Sequence, residues 1–505
     1  MIHRDAKKIF ILFSGFLILE ILSFYCLSWP ILNYFIFGAL ILIFSAATIY
    51  KLEYGLLILF GELFIGSMGH LFRLDLNFGR LSIRIVFWAI LMLIFSIKLL
   101  IQFSKQKKES PYFLNIKNFF SGKIFGIGNL FWLLCFFVFV GVINGLIRGN
   151  NFANLFADFN AWLYLSAIIP VAAIYGDGNR ERTNKLMPLF MAGAAWLSVK
   201  TIFLLYIFTH NLGVSDIFYT WLRKTLVGEM TPTLSGWPRI FIQGQIFPAI
   251  AFFVVFWSTK LNEGYLSFKK FFSQKNIISI FLAALFFSSV LISFSRSFWV
   301  GFAITVFASL VVFWRLSSFK KTVIAGIWLA IATILGFFLI YLTAIFPYPR
   351  SGEFNADFEQ RIASKGEAAL ASRWSLLPEL SREIYKAPLL GKGFGATVTY
   401  FSSDPRVLEQ NANGEYTTYA FEWGYLDIWL KIGFLGLLTY LLFLFKLLAA
   451  VYRRAYQSDS FIFLGLAAGI VFLGITNIFT PYLNHPLGIG FLLLSSCLIR
   501  SDRVY

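Results

Sequence analysis

The chain has 505 residues, 58% of them hydrophobic and only 13% charged, with a formal charge of +18 and a mean hydropathy of +0.74. That composition excludes a soluble single-core domain and a disordered chain, and reads as a polytopic membrane protein. The positive charge does not mark a nucleic-acid partner, because Lys and Arg cluster at alternate connections: HRDAKK at the start, KQKK at 105–108, NRERTNK at 179–185, FKKFFSQK at 268–275, RLSSFKK at 315–321, RR at 453–454 and RSDR near the end.

Spanning a bilayer takes about 20 mostly apolar residues per helix. Runs of that kind lie at 9–28, 31–50, 54–70, 82–103, 126–147, 155–175, 187–208, 240–258, 277–294, 297–314, 322–345, 425–450, 461–479 and 486–499, fourteen in all. The first run lacks a small-residue cleavage site and reads as a retained helix. With fourteen spans, the excess of Lys and Arg places both termini and all the basic loops in the cytoplasm. Cys26, Cys135 and Cys497 sit in apolar segments and fit neither a disulfide framework nor a metal-ligand spacing. The expected architecture is an all-α integral membrane protein with about twelve to fourteen transmembrane helices, arranged as helices 1 to 11 over residues 1–345, a long outward loop over 346–423, and C-terminal helices over 424–505.

A connection of about 75 residues between spans is usually functional rather than slack. Within it, 356–370 and 371–386 read as helices, the second with Trp374, Leu377, Leu380 and Ile384 on roughly one face. The stretch APLLGKGFGA that follows suits tight turns better than a phosphate-binding loop.

Arginine placement is the most informative chemical signal. Arg296 lies in SFSRSFWVGF, at the outer end of the hairpin between spans nine and ten; Arg80 and Arg84 open span four; Arg148, Arg239 and Arg373 lie in outward connections. Charge on that side runs against the positive-inside bias, and arginines at a membrane face often mark a substrate path. The guanidinium fork matches phosphate oxygens bidentately, so an anionic lipid-linked substrate fits the pattern. A lone arginine at such a position can also simply snorkel to lipid headgroups.

The hairpin SFSRSFWVGF, the loop segment SRWSLLPELSREIYKAPLLGKGFG and the segment FEWGYLDIWLKIGFLGLL, in that order over roughly residues 280 to 450, resemble the O-antigen ligase and O-antigen polymerase family. The resemblance implies a fold similar to the lipid-carrier-dependent C-type glycosyltransferases. It implies a glycosyltransferase of the cytoplasmic (inner) membrane that takes glycan from an undecaprenyl diphosphate carrier on the outward face and joins it to an acceptor, itself a glycan or lipid-linked, without metal or cofactor. No Asp-x-Asp pair occurs on the outward side. Many ligases of this family carry a His-Asn pair where this chain has Glu422 and Trp423, so Glu422 inherits the position of the base, with a helix-capping role as the plainer alternative. His210 and His485 remain open as substitutes for that base.

The expected machinery is Arg296 and Arg373 meeting the diphosphate, with Arg239 behind them, and Glu422 activating the acceptor hydroxyl. Tyr425 is expected to line the site, Arg84 to contribute cationic charge, and Arg148 and Asp158 to contact sugar or each other; Asp427 and Lys431, at i and i+4, are expected to pair. A flippase for the same lipid-linked glycan is the alternative. Against it, no paired halves with matching broken helices are visible, and mid-span charges are few, with Glu20, Glu62 and Lys200 the clearest. A noncatalytic scaffold would leave the arginines unexplained.

Overall fold

The computed structural model describes residues 5–76, 79–104, 111–122, 126–233, 236–258, 273–347, 368–409, 411–457 and 461–499. Its helices are α1 (Ala6–Cys26), α2 (Pro30–Tyr50), α3 (Leu52–Ile65), α4 (Ile83–Ser104), α5 (Pro111–Phe120), α6 (Gly128–Ile147), α7 (Phe152–Leu163), α8 (Ile168–Tyr175), α9 (Arg180–Thr183), α10 (Leu186–Thr209), α11 (Ser215–Lys224), α12 (Ile246–Ser258), α13 (Gln274–Ile292), α14 (Arg296–Leu316), α15 (Phe319–Ile345), α16 (Ala368–Tyr385), α17 (Pro405–Leu408), α18 (Gly424–Gln457), α19 (Ile462–Thr476) and α20 (Pro486–Leu498). Three antiparallel hairpins join β1 (Arg73–Leu76) to β2 (Gly79–Ser82), β3 (Gly228–Pro232) to β4 (Pro238–Ile242), and β5 (Val398–Phe401) to β6 (Glu415–Thr418).

The protein is an all-α integral membrane protein: among the described residues nine helices are long and apolar enough to cross a membrane, and four shorter apolar helices accompany them. Each of the fourteen apolar runs contains helix. The run at 155–175 is α7 and α8 joined through one 3-10 turn at Tyr164–Ala167. The short α12, α19 and α20 are buried along nearly their whole length, whereas α1, α2 and α4 leave most of their apolar side chains exposed, as a lipid-facing wall does. Ion pairs neutralise the intramembrane charges. Lys200 donates to Glu20 at 2.6 Å with both side chains 4% exposed, and Arg84 holds Glu62 at 2.7 Å.

Two boundaries differ from expectation. The run starting at 240 does not begin as helix: Pro238, Ile240 and Ile242 form an alternating strand paired with Gly228–Pro232, and the helix starts only at Ile246. Arg80 and Arg84 do not share a helix face either, since Arg80 lies on β2 beside Asp75 while Arg84 turns inward on the first turn of α4. The helix expected at 356–370 falls mostly outside the described residues, as do His3 and several of the basic clusters.

The C-terminal half holds a broken helix. Gly433, at φ 76° and ψ 173°, interrupts α18, and the segment Pro388–Gly395 wedges into the gap. An unbroken helix would bond Phe434 N–H to the Leu430 carbonyl and Leu435 N–H to that of Lys431. Instead Phe434 donates to Pro388 at 2.8 Å and Leu435 to Leu389 at 3.3 Å, while Lys392 donates to the Leu430 carbonyl at 2.6 Å and Gly393 to that of Lys431 at 3.2 Å. On the far side Phe394 donates to the Gly141 carbonyl at 3.1 Å, and Asn144 and Asn150 donate to the carbonyls of Leu390 and Phe394. Irregular backbone is tolerated at this depth because every freed group finds a protein partner. The Gly-rich run is therefore a structural wedge rather than a phosphate cradle.

The charge pattern predicts that the connection over 346–423 is reachable from outside. The native cysteines are buried or half-buried, so a cysteine at the exposed Ala412 is expected to react with a membrane-impermeant thiol reagent in intact cells. Reaction only after the cytoplasmic face is opened would invert the whole topology.

Candidate active site

The hairpin that carries Arg296 is built by a tight turn. Leu291 accepts from Phe294 N–H as α13 ends, and Phe294 adopts φ 48°. The Ser293 hydroxyl accepts from Ser295 N–H at 3.2 Å, and α14 starts at Arg296, half-buried. Small hydroxyl side chains suit this turn because they satisfy the backbone that the two helix ends leave open.

Three other parts of the chain meet this turn. Arg239, on β4, donates from Nε to the Ser293 carbonyl at 3.1 Å, with its guanidinium 5.5 Å from the Phe241 ring. Ser297 shares a hydrogen bond with Thr480 at 2.9 Å, which ties the hairpin to the connection between α19 and α20. Next to Thr480, Phe479 packs against Trp423 with ring centroids 5.6 Å apart. Trp423 in turn donates from Nε1 to the Arg373 carbonyl at 3.0 Å and meets Trp374 edge-on. Arg373 forks onto Glu422, with Nη2 to Oε1 at 2.9 Å and Nε to Oε2 closing the pair. Both side chains are about half exposed, so this pair faces an open space.

Helix α16 docks through the expected Leu380 and Ile384, joined by Leu376 rather than by Trp374. Leu376, Leu380 and Ile384 are buried against Ala396, Val398, Tyr400, Phe421 and Leu430, whereas Trp374 is 54% exposed. The stripe at i, i+4 and i+8 makes the contact, and Trp374 lies about 200° round the helix from Leu376 at roughly 100° per residue. Leu380→Ala should therefore cost about 2–5 kcal/mol and open the loop to protease, while Trp374→Ala leaves proteolysis nearly unchanged. Its effect should appear instead in the placement of Trp423.

The remaining sequence candidates lie elsewhere. Arg84 is buried and spends its donors on Glu62 and the Ser67 carbonyl. Asp158 does not pair with Arg148; it accepts from Lys431 at 2.7 Å and from Gly395 N–H at 2.9 Å. Lys431 also holds Asp427 at 2.6 Å, and Asp427 accepts from Asn484. This buried group pins the wedge to α7, α18 and the α19–α20 connection. Tyr425 donates to the Gly474 carbonyl at 2.7 Å, a strut between α18 and α19. Arg148 is exposed just after α6, close enough to Lys392 to help burial hold that ammonium below its ordinary range. Neither histidine is placed as a base. His210 Nδ1 lies 2.9 Å from the Tyr206 carbonyl, and His485 caps α20 with its pKa lowered to about 3 by burial and then by Arg84.

The turn, the wedge and the Arg373–Glu422 pair all fall within residues 281–441, the stretch matched by the family model described as O-antigen ligase. This stretch is similar to the O-antigen ligase family. No curated protein matches the chain. Within the matched region the structure pairs Arg373 with Glu422 and links them through Trp423, Phe479 and Thr480 to the turn that carries Arg296, and it brings Arg239 onto that turn from outside the region. It also adds Phe479 and Thr480, which sequence reasoning passed over in a short connection; the polar and proline-rich run TNIFTPYLNHP was the available signal.

Proposed function

We propose that this protein, an O-antigen ligase-like membrane glycan-transfer enzyme, uses an undecaprenyl-diphosphate-linked glycan as donor on the outward face of the cytoplasmic membrane. The observation that supports the reading is a chain of contacts that links the turn carrying Arg296 and holding Arg239 to the Arg373–Glu422 pair. Arg239 and Arg296 lie about the 293–297 turn, and Arg373 and Glu422 are tied to it through Trp423, Phe479 and Thr480.

The chemistry is displacement at the anomeric carbon. The bond from that carbon to the phosphate oxygen breaks, the acceptor hydroxyl oxygen bonds to the carbon, and the diphosphate leaves on its carrier. Developing charge on the leaving oxygen is met by fixed guanidinium groups, the larger catalytic contribution in such a site. Arg373 and Glu422 have a paired resting state that suits substrate entry. An arriving diphosphate takes the Arg373 fork and frees Glu422 to accept the proton of the acceptor hydroxyl. Asp158, Lys431 and Asp427 hold the wedge that positions α16 and with it Arg373.

The test is reconstitution of the full chain with a polyprenyl-diphosphate glycan. Polyprenyl diphosphate should be released only when an acceptor is supplied, and Glu422→Gln should slow release by about 10²- to 10⁴-fold. Movement of the lipid-linked glycan across the bilayer without release would make the protein a transporter and overturn the reading. In the native host, deletion separates the two acceptor classes. Single attached repeat units mark a polymerase; loss of all attached glycan with carrier-linked polymer accumulating marks a ligase.

A further inference from the structure

An apolar groove and a polar cleft adjoin where α1, α10 and α11 meet. The groove, about 490 Å³, runs between α1 and α10 at hydrocarbon depth, with Phe13, Leu17, Ile21, Phe24 and Phe203 on its walls and the neutralised Glu20–Lys200 pair in its floor. Several of its wall residues, Ile21, Tyr25 and Phe203 among them, are about half exposed, so the groove opens sideways to lipid. Above it lies the cleft, about 170 Å³, between α1, α2, α11 and the β1–β2 hairpin. Trp221 lines both, donating to Ser23 and standing 5.9 Å from the Lys200 ammonium.

The cleft is cationic and sits at headgroup level. Arg73, Lys224 and His70 line it together with Asn33, Tyr34 and Asp75. Asp75 is shared between Arg73 and Arg80, so the surroundings keep a positive excess once Lys224 is counted. His70 keeps a buried Nδ1 with no hydrogen-bond partner among the described residues. Tyr25, Trp29 and Tyr34 are exposed around the same rim, at the level where aromatic side chains mark a membrane interface. Helix α11 closes the top as a short amphipathic helix, Ile217, Phe218 and Trp221 on one side and Arg223 and Lys224 at its end.

A hydrocarbon-depth groove surmounted by a cationic, interfacial cleft has the shape and charge of one lipid molecule. We propose that this face binds a phosphodiester-headed anionic phospholipid of the surrounding leaflet, an acyl chain in the α1–α10 groove and the phosphate between Arg73, Lys224 and His70. The site is separate from the arginine cluster proposed for glycan transfer, and its test does not depend on transfer activity.

The full chain, purified in detergent, is titrated with dioleoyl phosphatidylglycerol or dioleoyl phosphatidylcholine and the retained lipid counted by native mass spectrometry. One phosphatidylglycerol is expected to be held in clear preference to phosphatidylcholine. Lys224→Gln, at an exposed position, should weaken that preference about fivefold, and Arg73→Gln by a similar factor, as expected for one cation near a phosphate. Because Arg73 also donates to the Lys224 carbonyl, the lysine variant carries the charge test on its own. Ile21→Trp should fill the groove and remove the retained lipid. Equal retention of the two lipids, an unchanged preference in Lys224→Gln, or displacement of phosphatidylglycerol by an equal concentration of a polyprenyl phosphate would each overturn the proposal.

Discussion

Replacing Lys431 by Met is expected to destabilise the fold by about 3–5 kcal/mol, the usual result of leaving a buried charge without its partner. Lys431 is 5% exposed and Asp427 2%, and the Asp158 side chain is also buried. Without the ammonium, two carboxylates face each other in a buried site. The loss extends to the backbone, because the carbonyls of Leu430 and Lys431 receive the wedge and the Asp158 carboxylate receives its Gly395 N–H. Thermal unfolding in detergent, followed by size-exclusion chromatography, should show a large drop in the folded fraction. Changing Asp158 and Asp427 to Asn together with Lys431→Met should recover most of it, since three neutral groups of similar size remain. A stable single variant would mean that the wedge is held by its backbone bonds alone.

This network also shows which parts of the structure the sequence could reveal. Apolar runs encode helices through composition alone, so the fourteen segments were readable without any contact information. The Asp427–Lys431 pair was readable too, because it is local on one helix face. Asp158 was not: its partner lies 273 residues away, and its proximity to Arg148 in the chain pointed to the wrong cation. The break at Gly433 was equally hidden, since the glycine makes sense only once the Pro388–Gly395 wedge is seen to occupy the gap. Strand β4 was masked for a different reason. Its Ile and Phe residues continue the apolar run of α12, and hydropathy does not register the change of period from strand to helix.

For the candidate site, residue type and order within the matched region nominated Arg296, Arg373 and Glu422 as candidates. The Arg373–Glu422 pair itself required the fold, because it joins the start of α16 to the residue two before α18. Arg84 shows the opposite outcome. Its type and side of the membrane resembled those of Arg296, but the presence of Glu62 on α3 turns it into a structural ion pair.

Arg296→Lys is the sharpest test of the transfer site. The change keeps the positive charge at the start of α14 but removes the planar fork, so a bidentate phosphate contact becomes a single one. Loss of one such contact in the transition state typically lowers turnover by a factor of about 10² to 10³. Arg296→Ala should be at least as damaging. Expression and membrane insertion should stay near normal in both, because the residue is half-buried at the loop end of the bundle and Ser293, Ser295 and Ser297 bond within and across the turn. A headgroup anchor would behave differently: Lys would replace Arg296 fully and Gln nearly so. The deciding measurement is glycan transfer by the Lys variant at matched protein level. Transfer at the wild-type rate would assign Arg296 to the lipid headgroups and leave the diphosphate to Arg373 and Arg239 alone.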